Sequence, residues 1–176
     1  MPCGVTPFEA SEYVGKYRQE LSMVFQFDHM YLDVTDDNKW QVRRWSLPEL
    51  EKVLRIWQQH MLGNQGIIYH GPLRNWKASA ETYQLLGWNS LYLENHDQAR
   101  CTSRFLRDNP AQYREVGAKM LATFLLALRG TVYLYQGQEL GVTHPENWTI
   151  DDYKDVETQN YYRRSVLPAF NLCRLM

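Results

Sequence analysis

The sequence predicts an α/β fold built on a parallel sheet, and three observations carry that expectation. Three short, almost continuously apolar runs, residues 23–27 (Met-Val-Phe-Gln-Phe), 88–93 (Trp-Asn-Ser-Leu-Tyr-Leu) and 131–135 (Thr-Val-Tyr-Leu-Tyr), read as strands buried on both faces. Segments with helical apolar spacing alternate with them, as in βα units. Each run ends abruptly in polar or charged residues: Asp28-His29, Glu94-Asn95-His96-Asp97 and Gln136-Gly137-Gln138-Glu139. The C-terminal edge of a parallel sheet is where α/β folds build their sites.

The helices announce themselves by their first turns. Thr6-Pro7-Phe8-Glu9 is a capping box with proline at the first helical position and predicts a helix from Pro7 to about Arg18. Ser46-Leu47-Pro48-Glu49 is a second box, followed by Leu50, Val53, Leu54, Trp57 and Met61 on one apolar stripe. The pattern breaks over residues 63–76, an excursion loop with glycines and a proline, before a short helical stretch at 78–86. Asn109-Pro110-Ala111-Gln112 opens another helix, with Val116, Met120, Leu121, Phe124, Leu125 and Leu128 as its buried face and Gly130 as its stop. A last helix is expected over about residues 150–164.

Composition narrows the function classes. Across 176 residues, 19 lysines and arginines oppose 20 aspartates and glutamates, a formal net charge of −1. A binder of nucleic-acid backbone needs a clear cationic excess, so nucleic acid is not an expected partner. No stretch approaches the roughly 20 apolar residues of a membrane span, and residues 1–20 lack the basic-then-apolar pattern of a secretion signal. Cys3, Cys101 and Cys173 are odd in number and far apart. They suggest neither a disulfide framework nor a metal set, and favour a reducing, cytoplasmic setting. Residues 33–38 (Asp-Val-Thr-Asp-Asp-Asn) offer oxygen ligands but lack the glycine and final glutamate of a calcium loop, and read as a solvated turn. His60 and His70 read as surface or loop residues. No cofactor and no metal is expected.

The richest segment is Glu94-Asn95-His96-Asp97-Gln98-Ala99-Arg100, which gathers hydrogen-bond donors, acceptors and both signs of charge at one strand mouth. Such a cluster suits recognition of vicinal hydroxyls or stabilisation of a developing cation. The plainer alternative is a loop clamp in which His96 and Arg100 pair with Asp97.

These residues, from Leu91 to Gln98 with Arg100 and Ser103-Arg104-Phe105, closely resemble the Asn-His-Asp region of the α-amylase superfamily, glycoside hydrolase family 13, in its oligo-1,6-glucosidase and α-glucosidase (maltase) branch. Residues 21–32 resemble that branch's sixth barrel strand, and residues 130–141 its eighth strand and following loop. The resemblance runs in the same order through most of the chain. It is strongest over 6–58 and 88–162, with an insertion over about 60–86 and nothing matching 167–176.

What the resemblance implies is a partial TIM (β/α)8 barrel, approximately strands 6 to 8 with their helices, forming one incomplete catalytic domain. Carried over residue by residue, it makes Asp97 the transition-state-stabilising carboxylate of a retaining α-glucosidase, holding the 2- and 3-hydroxyls of the glucosyl unit. It makes His96 a ligand of the same sugar and gives Asn95 and Arg100 the task of shaping the site. Asp28, His29, Gln138 and Glu139 fall on the rim or just behind it. The implied substrates are short α-1,4- or α-1,6-linked oligosaccharides or disaccharides. The family's nucleophile and acid/base, about 5 Å apart in a retaining enzyme, follow its fourth and fifth strands, and nothing here matches either. The chain alone is therefore expected to be inactive and to need the missing N-terminal half of the barrel. The alternative function is a non-catalytic carbohydrate-binding or interaction remnant.

Overall fold

A computed structural model of the protein describes residues 5–15, 19–35, 38–62, 87–106, 111–145 and 147–166. The excursion and short helix expected over 63–86, the Asn109-Pro110 cap, His70 and the unmatched 167–176 lie outside these residues. The chain divides into two compact units, Met1–Thr143 and His144–Met176.

The first unit is a three-stranded parallel sheet with helices packed on one face. Its strands are β1 (Val24–Phe25), β4 (Asn89–Leu91) and β5 (Thr131–Val132), hydrogen-bonded in that order. Val24 pairs with Asn89 and Phe25 with Ser90; Ser90 pairs in turn with Thr131 and Leu91 with Val132. The three runs predicted as strands are thus strands and are parallel neighbours, though each is regular for only two or three of its residues.

Helix α1 (Pro7–Val14) starts where the capping box places it: the Thr6 hydroxyl accepts the Glu9 amide at 3.2 Å and the Glu9 carboxylate accepts the Thr6 amide at 2.8 Å. It stops before Arg18 because Gly15 takes up an extended conformation. Helix α2 (Leu47–Met61) buries Leu50, Leu54, Trp57 and Met61, the stripe its spacing predicts, with Val53 half-buried beside them. Ser46 caps it, its hydroxyl accepting the Glu49 amide at 3.4 Å and donating to the Glu49 carboxylate at 2.8 Å, while Arg43 grips the same carboxylate from outside. These bonds hold the Glu49 carboxyl below its usual range.

Helix α4 (Arg114–Leu126), entered through a 3-10 turn at Ala111–Tyr113, departs from expectation on one side. Leu121 and Leu125 are buried and Phe124 and Leu128 pack against the core, but Val116 and Met120 are 66% and 53% exposed. The apolar stripe is wider than the surface that covers it among the described residues. The helix also ends at Leu126 with Ala127 as its cap, so Gly130 is not its stop.

Two apolar clusters share the helix-facing side of the sheet. Leu91 and Leu93 join Cys101, Phe105, Leu121 and Leu125, with Val132 at the margin. Ala10, Val14, Trp57 and Met61 form the second, with Val24 against them. The other face is aromatic: Phe25 lies 5.6 Å from Tyr92 and 4.8 Å from Tyr133, centroid to centroid. Phe25 and Tyr133 remain exposed there, so burial on both faces holds for β4 but not for its neighbours.

The solvated-turn reading of residues 33–38 does not hold for Asp33 to Thr35, while residues 36 and 37 lie outside the described residues. Asp33 is buried and leads into an antiparallel pair, β2 (Val34–Thr35) with β3 (Asn38–Val42). The Arg43 amide donates to the Asp33 carbonyl at 2.8 Å and closes the open end of that pair.

The second unit contains a 3-10 turn, Ile150–Asp152, and helix α5 (Val156–Tyr161), which runs on into a single wider turn, Tyr162–Val166. The final helix expected from sequence is therefore broken in two, and Asp155 caps the second piece by accepting the Thr158 amide at 2.6 Å. Among the described residues, no helix is long and apolar enough to cross a membrane.

Gly130 has its role at the entrance to β5. Its φ is +156°, and a side-chain carbon there would sit 2.6 Å from the Asn89 carbonyl oxygen and 2.7 Å from Leu91. Gly130→Ala should therefore lower stability by on the order of 1–3 kcal/mol, measured as the shift in urea midpoint.

Candidate functional site

The C-terminal ends of β1, β4 and β5 lie along one edge of the sheet, and the loops leaving them carry every residue singled out from sequence. Among these His96 and Asp97 are strongly exposed, with side chains 77% and 70% accessible, 3.5 Å apart between Nε2 and Oδ2. They sit in a tight turn of four residues. The Asn95 side-chain oxygen accepts the Asp97 amide at 2.9 Å and its carbonyl accepts the Gln98 amide at 3.3 Å. Asn95 thus shapes the turn and leaves the Asp97 carboxylate open to solvent.

Arg100 does not pair with Asp97. Its Nη1 donates to Glu94 Oε1 at 2.8 Å and to the Gln136 carbonyl at 2.6 Å, and its guanidinium lies 4.9 Å from the Tyr135 ring centroid. The loop-clamp reading is corrected for Arg100, whose carboxylate partner is Glu94, with a side chain 1% exposed, while His96 does lie beside Asp97. The second Glu94 oxygen accepts the Cys101 amide at 2.6 Å, so a buried charge is satisfied at both oxygens. Arg100 thereby ties the loop after β4 to the loop after β5. Gly137, with φ +87°, brings that second loop close to the guanidinium.

His29 lies beneath the rim, fully buried, rather than on it. Its Nε2 faces the Tyr92 carbonyl at 2.9 Å and its Nδ1 faces the Gln26 amide nitrogen at 2.7 Å. A carbonyl can only accept, so Nε2 carries the proton and Nδ1 accepts from Gln26. Gln26 in turn accepts the Asp28 amide at 2.9 Å, and the Tyr92 hydroxyl donates to the Gln26 carbonyl at 3.0 Å. Burial holds the His29 imidazole down at about 4; the bond to Tyr92 opposes this and the nearby Arg104 charge adds to it. Burial likewise pushes the Tyr92 phenol up. This neutral network locks the end of β1 to the end of β4.

Asp28 reaches the mouth with its carboxylate fixed by Trp57, whose indole N–H donates at 2.7 Å. Gln138 turns back on its own loop, accepting the Tyr135 amide at 3.2 Å, and Glu139 is exposed beside it. Cys101 points into the core. Burial, with Glu94 beside it, pushes the thiol up to about 12, so it is not a nucleophile.

Sequence reasoning overlooked the supports: Gln26, Tyr92, Glu94, Asp33 and Arg104. A signal existed for Gln26, a lone amide inside an apolar strand. For Arg104 there was only its spacing on a short helix, α3 (Cys101–Phe105). No group of three or more metal-ligating side chains converges among the described residues.

The family model described as alpha amylase, catalytic domain, matches residues 3–165, and the chain belongs to that family. It is 45% identical over 163 residues to the oligo-1,6-glucosidase of Parageobacillus thermoglucosidasius, an alignment covering 93% of this chain and 25% of the relative. Against the alpha-glucosidase of Schizosaccharomyces pombe it is 37% identical over 165 residues, covering 93% and 25%. The solved trehalose-6-phosphate hydrolase of Bacillus licheniformis superposes with a TM-score of 0.74 at 35% identity, covering 92% of this chain and 25% of that one. A mutant isomaltulose synthase from Erwinia rhapontici NX5, in complex with its natural substrate sucrose, gives 0.73 at 32% identity, covering 95% and 26%. The chain spans about a quarter of the length of these relatives.

The His29 environment sets a pH dependence. A histidine held near 4 when folded and near 6.5 when unfolded binds its proton preferentially in the unfolded chain, so stability falls as pH drops from 6.5 towards 4. The slope should be about 1.4 kcal/mol per pH unit steeper than in His29→Gln, measured by urea unfolding at pH 7, 5.5 and 4.5.

Proposed function

We propose that this chain supplies strands six to eight of the (β/α)8 barrel of a retaining α-glucosidase of the oligo-1,6-glucosidase type. Its substrates are α-1,4- or α-1,6-linked short oligosaccharides or disaccharides. The observation that carries the reading is the position of Asp97: an open carboxylate on a turn at the C-terminal edge of a parallel sheet, with a polar imidazole beside it and buried ion pairs behind it. The names of the relatives, oligo-1,6-glucosidase and alpha-glucosidase, support the substrate class.

Asp97 accepts hydrogen bonds from the 2- and 3-hydroxyls of the glucosyl unit. Those bonds strengthen as the ring flattens and positive charge develops at the anomeric carbon, which is how they lower the barrel enzyme's barrier rather than merely tighten binding. His96 donates to the same unit. Asn95 holds the turn, and Arg100 holds the loops after β4 and β5 together through Glu94 and Gln136. Double displacement also requires a nucleophile and an acid/base; both are assigned to barrel segments outside these 176 residues. The exposed Phe25 and Tyr133 face is the side that a closed barrel turns inward. Cys101, a free and buried thiol, is compatible with a reducing, cytoplasmic setting.

Calorimetric titration of the 176-residue chain with maltose and isomaltose tests this. Saturable binding with a Kd on the order of 1 mM is expected, weakened about tenfold or more in Asp97→Asn through loss of charge-assisted hydrogen bonds. Absence of saturation in the unmutated chain would overturn the sugar-binding role. Hydrolysis of p-nitrophenyl α-glucoside by the chain alone, abolished in Asp97→Ala, would overturn the assignment of the other two carboxylates to a separate segment.

A further inference from the structure

We propose that Arg104, acting through Gln98, is a positioning residue for Asp97. The proposal rests on the reading of Asp97 as the sugar-gripping carboxylate, but its geometry is independent of that reading. The turn carrying Asp97 is exposed and has only two internal hydrogen bonds, both to Asn95. Bonds of that kind do not hold a solvated turn in one conformation, because water competes for every partner. Its upstream end is anchored by buried Glu94. Its downstream end is Gln98, whose side-chain oxygen accepts from Arg104 Nη1 at 3.2 Å.

Arg104 is a fixed point. Its side chain is nearly enclosed, and every nitrogen of the guanidinium is engaged. Nε donates to Asp33 Oδ2 at 2.6 Å, Nη2 donates to Asp33 Oδ1 and, at 2.7 Å, to the Met30 carbonyl, and the cation lies 5.4 Å from the Phe105 ring centroid. One planar fork therefore joins the segment after β1, the base of the β2–β3 pair and the Asp97 turn. An ammonium group concentrates its donors at a single point and cannot reach Asp33, Met30 and Gln98 together. Arg100 does not duplicate this link, since it faces Glu94 and Gln136 at the other end of the turn.

The test separates positioning from ordinary structural support. Backbone ¹⁵N order parameters are measured on the 176-residue chain and on Gln98→Ala, Gln98→Glu, Arg104→Lys and Leu125→Ala. Gln98→Ala removes the tether while leaving the Arg104–Asp33 pair in place, so it remains informative if Arg104→Lys fails to fold. Order parameters of residues 96–98 should fall from about 0.85 to below about 0.6 in Gln98→Ala and Arg104→Lys. They should be retained in Gln98→Glu, which keeps the accepting oxygen, and in Leu125→Ala, which weakens the core without touching the tether. Unchanged order in Gln98→Ala, or equal loosening in Leu125→Ala, would overturn the proposal. Maltose titration of the same samples keeps the two readings apart. A loosened turn in Gln98→Ala with no maltose binding by the unmutated chain would sink the sugar reading and leave positioning standing. Equal maltose affinity in the two, with an equally ordered turn, would do the reverse.

Discussion

A single buried guanidinium organises the working edge of this molecule. Arg104 projects from a five-residue helix that has little cohesion of its own, and its partners come from two separate stretches, Met30 and Asp33 after β1 and Gln98 after β4. Besides this link, the Gln26–His29–Tyr92 network and the Phe27–Tyr92 ring contact join the segment after β1 to the end of β4. Burying a charge is costly, and the Coulombic attraction of the pair repays that cost only when geometry is good and the remaining polar atoms are satisfied. Here the fork meets the carboxylate with two nitrogens and places its remaining donors on the Met30 carbonyl, the Met30 sulfur and the Gln98 amide oxygen. Such a pair contributes more to holding one arrangement than to net stability, and removing either partner alone costs about 3–5 kcal/mol.

The same logic recurs on a smaller scale at Glu94. A carboxylate placed at the first amide of α3 and faced by Arg100 would be a liability in an apolar core, yet it sits where the core meets the rim. Charged groups beneath the surface and uncharged contact from Tyr135 leave Asp97 facing outward between the supports. The division is clear: the residues that touch solvent are few and held from below, and the residues that hold them are buried and paired.

Much of this was legible in the sequence, and the parts that were not share a physical reason. Strands, their parallel pairing and the capping of α1 and α2 follow from local patterns, because Thr6, Ser46 and the apolar stripe of α2 act through neighbours three or four residues away. The outward placement of His96 and Asp97 followed from their position just past an apolar run. Pairing across the fold was not readable. Arg104 and Asp33 are 71 residues apart, His29 and Tyr92 63, and nothing local marks such partners. Asp33 looked like part of a solvated turn because its neighbours are polar, and Arg100 looked like Asp97's counterion because it is close in sequence. In both cases the structure chose a buried partner over the nearer exposed one. Val116 and Met120 show the opposite error: spacing identifies an apolar face but not whether anything covers it.

Cys101 stands at the junction of these two worlds. Its amide hydrogen secures Glu94, and its sulfur is embedded among Leu91, Phe105 and Leu121. Alkylation of that sulfur requires the apolar cluster to part, and parting it disturbs the amide that hydrogen-bonds the acid behind the rim. With Cys3 and Cys173 replaced, the thiol is consequently a built-in reporter: its labelling rate reads out how often the support beneath the Asp97 turn comes undone.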